Sequence, residues 1–399
     1  MSAPLRCYET QWHHRHAFVL ANDLITLVTL TGGGHVAEFR FREGMGFPTL
    51  NPLWIPPWKT IEPYRYKRHL HATLYGPPAT GRMLSGITGH NLCLDFFGPP
   101  SEEEARQGLS IHGEAPARRW RKVSRFTSRH QSRLKLAVHL RIAGLRFERQ
   151  IKLRAGESVA YFKETVTNER KADHFFHWTQ HVTLGPPFLD ARRSSVWAPV
   201  VKGRTYPHGY EGKELLLSGR DFKWPYAPGI NGKVLNLTQP FIQPGKGFVV
   251  TGLLDPKNSI AYVAAVNRTA RLIFGYCFRQ ADFPWLVIWE ENRARRAPPW
   301  NGQCQARGLE FSSTPFPLLR RESFAQGPLY GAPCFSTVPA RSSLVVEYIA
   351  FLATLPPEFS DLRELRLARN EILLSDGSER HWVRVAASGL AKTCLVAPG

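Results

Sequence analysis

The sequence predicts an all-β protein, a large antiparallel β-sandwich with few short helices. Three observations predict it. Segments rich in Val, Ile, Leu, Phe and Thr recur along the chain with alternating polarity, the period-2 signature of a strand with one buried and one wet face. Gly, Pro, Asn or Asp bound these segments, and few stretches hold a helical period. With 31 prolines and 32 glycines the connections are expected to be long irregular loops, which favours two stacked antiparallel sheets over a parallel sheet with crossover helices.

Taken in chain order, Leu24 to Leu30 and His35 to Arg42 flank Thr31-Gly32-Gly33-Gly34, where glycine's tolerance of positive φ suits a hairpin. Further strands are expected at Leu134 to Ile142, Leu145 to Leu153, Val159 to Asn168 and Phe175 to Leu184. Phe248 to Leu254, Ile260 to Asn267, Trp285 to Glu290 and Leu344 to Leu352 complete the set. After Leu355-Pro356-Pro357, Ser360 is placed to cap a short helix through Leu367, before a hairpin turning near Asp376-Gly377. The chain therefore reads as one sandwich domain, 1–355, with a C-terminal appendage, 356–399. A length of 399 suggests two or three domains at about 150 residues each, but β-sandwiches exceed that size as single units.

Composition excludes several classes. A chain 43% hydrophobic and 21% charged is neither a collagen, a coiled coil nor a disordered tail. The net charge of +20 creates a field that favours phosphorylated or acidic ligands, yet the arginines spread from Arg6 to Arg384 without a block of like charges, so nucleic-acid binding is not expected. The six cysteines lie far apart without a CxxC pair and read as free thiols in a reducing compartment. The first thirty residues lack a signal-peptide pattern, and no apolar run reaches the roughly eighteen residues of a membrane span. A cytoplasmic location without membrane contact is the expectation.

Three segments hold polar residues that packing alone does not explain. In LSIHGEAPARRW, residues 109–120, a His-Gly pair places the His112 imidazole beside a sharp turn, and Trp120 offers an aromatic face to a sugar ring. In HFFHWTQHVTLGPPFLD, residues 174–190, His177, Thr179 and His181 share one strand face and His174 the other, so the histidines are not automatically one metal site, and no carboxylate or cysteine nearby completes a zinc set. In ARGLEFSSTPFP, residues 306–317, Glu310 sits between Leu309 and Phe311. It is either a strand residue facing solvent or a desolvated base.

The order of these segments resembles the galactose mutarotase-like superfamily, which includes the aldose 1-epimerases, over roughly residues 20–352. TGGGHVAEFRF resembles that family's glycine turn and outgoing strand, and NPLWIPPW its Asn-x-Leu-Trp segment. GRMLSGITGHNLCLDFFG resembles the loop that presents an arginine to the sugar, here Arg82. LSIHGEAPARRW, with its Trp shortly after His-Gly, is similar to the hexose-6-phosphate and related uncharacterised branches, HWTQHVTLG to the strand of the second histidine, and PWLVIWEENR followed by GLEFSSTP to the final segment that carries the base. The second histidine stands here in Gln180-His181-Val182 rather than in Asn-His-aromatic, and the family's substrate-binding aspartate has no counterpart.

The resemblance implies a supersandwich fold and an aldose 1-epimerase activity that needs no metal or organic cofactor. Anomer interconversion requires removal of the C1 hydroxyl proton and protonation of the ring oxygen, so one base and one acid suffice. The resemblance makes Glu310 the base and His181 the acid, with His112 and Arg82 on sugar oxygens. Trp120, Trp178, Trp285 or Trp289 would pack on the sugar's C–H face, Trp120 and Trp289 foremost. Arg118 and Arg119 would favour a phosphorylated or acidic sugar. Two other classes remain on the same scaffold, a carbohydrate-binding or sensing protein without turnover and a glycosidase. The first follows if Glu310 and His181 do not share a cleft, and the second requires another carboxylate within about 10 Å of Glu310.

Overall fold

The structure, a computed structural model, describes residues 5–359, 361–378 and 382–396. Two large antiparallel sheets face each other. The first runs from the N-terminal hairpins (Arg6–Trp12, Arg15–Ala21, Ile25–Leu30, Val36–Phe41) through His90–Asp95 and His174–Leu184 to Gln305–Ser312, Trp285–Asn292, Lys246–Leu254, Val200–Thr205 and Asp221–Phe222. The second orders Ser194–Trp197, Ile260–Asn267, Leu272–Arg279, Ser343–Thr354, Val159–Asn168, Leu145–Arg154, Gln131–Leu140 and Arg121–Thr127. Among the described residues four short α-helices accompany them, so the sandwich expected from strand alternation is what forms.

The main core lies between the sheets. Phe39 meets Phe274 at 5.8 Å between ring centroids, Trp178 meets Phe147 at 6.1 Å, and Phe311 stacks on Phe278 at 4.3 Å. A polar network is enclosed there as well. Arg149 donates to Glu164 at 2.6 Å, and Gln180 donates to the other oxygen of Glu164 at 2.6 Å while pairing with His90 at 2.9 Å. Buried charges of this kind persist only when their hydrogen bonds are made.

Gln131–Leu140 and Leu145–Arg154 alternate buried and half-exposed residues, as one wet face requires. His174–Leu184 and Trp285–Asn292 depart from that expectation, because nearly every residue in them is buried. Loops and helices from distant parts of the chain cover the face of the first sheet that points away from the second. Pro78–Leu84 and the segments around residues 97, 111, 210 and 297 form this cover. The candidate site lies beneath it.

The C-terminal region differs from its expectation. Ser360 lies outside the described residues, and Glu364–Leu367 is a strand rather than the end of a helix. It joins Glu371–Ser375 and Trp382–Ala386 in a three-stranded sheet whose Leu365, Ile372, Leu374 and Val385 pack on Tyr161, Ala264, Ile349 and Phe351 of the second sheet. The hairpin near Asp376-Gly377 is present, with Ser375 paired to Trp382. No helix among the described residues is long and apolar enough to cross a membrane.

Candidate functional site

Three neighbouring strands of the first sheet set the floor of the site. Leu309 and Phe311 turn into the core, so the period-2 rule sends Glu310 to the opposite face. On His174–Leu184, Trp178 and Val182 likewise point inward and His181 outward. Val287 and Trp289 of Trp285–Asn292 join the outer face, where Val287 stands opposite Glu310 and Trp289 opposite Gly308. A carboxylate, an imidazole and an indole are thereby brought side by side from three separate segments.

Glu310 and His181 touch. His181 Nε2 lies 3.2 Å from Glu310 Oε1, with the two side chains 6% and 1% exposed. His181 Nδ1 meets the Thr183 hydroxyl at 3.0 Å. Burial pushes the Glu310 carboxyl well above the usual carboxylate range, and burial, followed by the nearby His112, pushes His181 well below that of histidine. Both shifts favour the neutral forms, a protonated carboxyl beside a neutral imidazole. Gly308 leaves the carboxylate its room, since a Cβ there would stand 2.1 Å from Oε1.

His112 completes the polar end. Its backbone is left-handed, at φ 68°, and Gly113 follows at φ 82°, where a Cβ would stand 2.1 Å from the Leu94 carbonyl oxygen. The His-Gly pair thus grips the end of His90–Asp95 and turns the imidazole toward His181, 5.0 Å away between ring centroids. His112 Nδ1–H donates to the Phe97 carbonyl at 2.5 Å, which leaves Nε2 as an acceptor. Burial lowers its pKa to about 4.

These groups open onto a cavity of about 360 Å³, within the range of small-molecule sites. Its walls come from Thr80, Met83 and Leu84 of Pro78–Leu84, from Ile87, Phe97 and Ile111, and from Val249, Val287, Trp289 and Trp300. Trp289 Nε1 donates to the Tyr210 hydroxyl at 2.7 Å, and that hydroxyl donates to Glu291 at 2.8 Å, so the indole is held as a wall. Arg295 lies 4.6 Å from the Tyr210 ring centre and 5.0 Å from that of Trp300, and its Nε donates to Glu211 at 2.9 Å.

Of the residues singled out in the sequence, Glu310, His181, His112 and Trp289 line this cavity. Arg82 and Trp120 are corrected to other places. Arg82 does not line the cavity, and its guanidinium donates to the Gly108 carbonyl at 2.8 Å, tying the helix to the next loop. Trp120 is buried between the sheets, where Nε1 donates to the Ala115 carbonyl at 3.0 Å and Arg149 lies over its ring at 5.3 Å. Trp178 is core, and Trp285 donates to the Pro333 carbonyl at 2.7 Å. Arg118 pairs with Glu114, and Arg119 lies over Tyr64 at 5.8 Å, neither on the cavity.

The other two histidines of the segment serve the cover. His177 accepts from the Phe97 amide at 3.3 Å and meets the Ser323 hydroxyl at 2.9 Å, and His174 pairs with Asp95 at 2.6 Å. Arg320 holds the same Asp95 with two bonds of 2.9 and 2.7 Å. No group of three or more His, Cys, Asp or Glu side chains among the described residues is arranged to hold a metal ion. Arg295, Trp300, Glu211 and Gly308 were not singled out in the sequence. Arg295 and Trp300 follow closely on the quoted PWLVIWEENR, and an aromatic beside prolines in a loop is the signal that could have found them.

The fold matches known structures. A candidate aldose 1-epimerase from Klebsiella pneumoniae superposes with a TM-score of 0.61 at 15% identity, over 86% of this chain and 80% of that one. A galactose mutarotase-like protein from Clostridium acetobutylicum gives 0.56 at 12% identity, over 88% and 99%. A candidate aldose 1-epimerase from Escherichia coli K12 gives 0.54 at 14% identity, over 88% and 100%. No family model and no curated protein matches the sequence. The chain has the mutarotase-like sandwich fold, as the resemblance implied.

Proposed function

We propose that the protein is a mutarotase-like isomerase that interconverts the anomers of a cyclic hemiacetal, with Glu310 and His181 carrying the protons. The observation that supports this reading most is the buried Glu310–His181 pair, 3.2 Å apart in the wall of a sugar-sized cavity. The anomeric and ring oxygens share one carbon, so a donor and an acceptor a hydrogen bond apart reach both from one side. Once the carboxyl proton passes to His181, Glu310 takes the hydrogen of the C1 hydroxyl while His181 protonates the ring oxygen. The bond between C1 and the ring oxygen breaks, and an aldehyde forms.

After rotation about C1–C2 the two groups hold the proton pattern that closure needs. Glu310 gives its proton to the aldehyde oxygen, His181 takes the hydroxyl proton, and the ring closes on the other face with the pair restored. His112 Nε2 accepts a substrate hydroxyl beside the pair, and Trp289 packs on the ring's C–H face. Burial moves the His181 titration well below 6.5 and that of Glu310 well above 4.5, so any inflection of the rate lies away from both ordinary positions.

Polarimetry of a panel of freshly dissolved α-anomers tests the reading, comparing wild type with Glu310→Gln. Wild type accelerates mutarotation above the buffer rate, and the near-isosteric variant loses about 10²–10⁴ of that acceleration. A folded wild-type protein that accelerates none of the sugars refutes it.

A further inference from the structure

The chemistry of the cavity wall carries a statement about the substrate, which rests on the reading just given. We infer that the substrate is a cyclic hemiacetal poor in free hydroxyl groups, a deoxy, O-alkylated or O-acylated sugar. Its anomeric hydroxyl meets Glu310 and His181, while its apolar body fills the rest of the cavity.

A hexopyranose such as glucose carries four hydroxyl groups besides the anomeric one, and each needs a partner once it leaves water. The cavity does not offer them. Only six of its twenty lining residues carry a charged, hydroxyl or imidazole side chain, and part of that capacity is already committed. Glu310 and His181, 3.2 Å apart, are taken up by the anomeric hydroxyl, and Arg295 spends its Nε on Glu211 at 2.9 Å. His112 spends Nδ1–H on the Phe97 carbonyl, and the Thr80 hydroxyl meets the Pro77 carbonyl at 3.4 Å.

The backbone adds little. Pro77, Pro298 and Pro317 line the cavity without an N–H, the Gly76 carbonyl accepts the Tyr66 hydroxyl at 2.6 Å, and the Ala297 carbonyl accepts the Trp300 amide at 3.0 Å. Between the polar end at Glu310 and the Arg295–Glu211 pair the surface is Met83, Leu84, Ile87, Val249 and Val287 with two indoles. Such a wall rejects an unpaired hydroxyl and welcomes a methyl, methoxy or acyl group of similar size. Arg295 is held over aromatic rings and neutralised by Glu211, so this end presents no net charge for a phosphate.

The test compares 2,3,4,6-tetra-O-methyl-α-D-glucopyranose with α-D-glucose, by polarimetry for turnover and by tryptophan fluorescence for binding. The O-methylated sugar is expected to show at least ten-fold higher kcat/KM and at least ten-fold tighter binding. Val249→Thr, a near-isosteric change that adds a hydroxyl to the wall, is expected to narrow the kcat/KM ratio three-fold or more, and an unchanged ratio removes the wall as its cause. Equal or better turnover of glucose overturns the inference and leaves the isomerase reading standing. Tight binding of the O-methylated sugar without turnover overturns the isomerase reading and upholds the cavity chemistry. Absence of both binding and turnover for both sugars overturns both.

Discussion

His112 is a neutral imidazole in a left-handed backbone conformation, and its surroundings cause both features. The chain must turn back against the Leu94 carbonyl at Gly113, and the Phe97 carbonyl then takes the Nδ1 proton. Burial lowers the pKa from 6.5 to about 4. Between those values the unfolded chain binds the proton and the folded one does not. Stability linked to this residue is therefore present above 6.5 and lost as pH falls toward about 4, by roughly 3 kcal/mol. His112→Asn keeps a donor for the Phe97 carbonyl and tolerates the positive φ, so denaturant unfolding from pH 7 to 4 should show a shallower loss than wild type. Equal slopes would refute the assignment. The sequence made the turn legible through the His-Gly pair, but the carbonyl that sets the tautomer comes from a residue fifteen positions away.

At the level of the strand, Gln305–Ser312 shows how one element carries both room and reactive group. Gly308 and Glu310 share a face, opposite Trp289 and Val287 of the neighbouring strand. A Cβ at 308 would stand 2.1 Å from the carboxylate, so Gly308→Ala must displace the Glu310 carboxylate. A misplacement of this order costs about 10²-fold in rate. The expected result is a large fall in kcat with a much smaller change in KM and an unaltered circular dichroism spectrum, whereas unchanged kcat would show that the carboxylate position is not critical. Leu309 and Phe311 made the face of Glu310 readable, because alternation follows from backbone geometry. Whether that face met water or a covered cavity depended on loops far away in sequence, and alternation contains nothing about them.

Across the whole molecule, the second sheet separates the C-terminal strands from the cavity. Leu365, Ile372 and Leu374 pack on the outer side of that sheet, and the cavity lies on the outer side of the first. Ile372 is fully buried, so Ile372→Ala should lower the unfolding free energy by about 2–5 kcal/mol in chemical denaturation. KM should stay unchanged, and a shift in KM at preserved fold would show that the two faces are coupled. The expected helix near Leu367 is a strand because Leu365 and Leu367 pair with Leu374 and Ile372, where packing outweighs local propensity. The sequence by itself determined the all-β class, most of the strands, and the placement of Glu310, His181 and His112 in segments of one order, since period and turn chemistry are local. Only the tertiary structure decided that Glu310 and His181 touch, that Arg82 and Trp120 lie away from the cavity, and that the cavity wall is apolar. Those outcomes depend on which distant side chains share a face, and the physical reason is that burial and pairing are properties of neighbours in space.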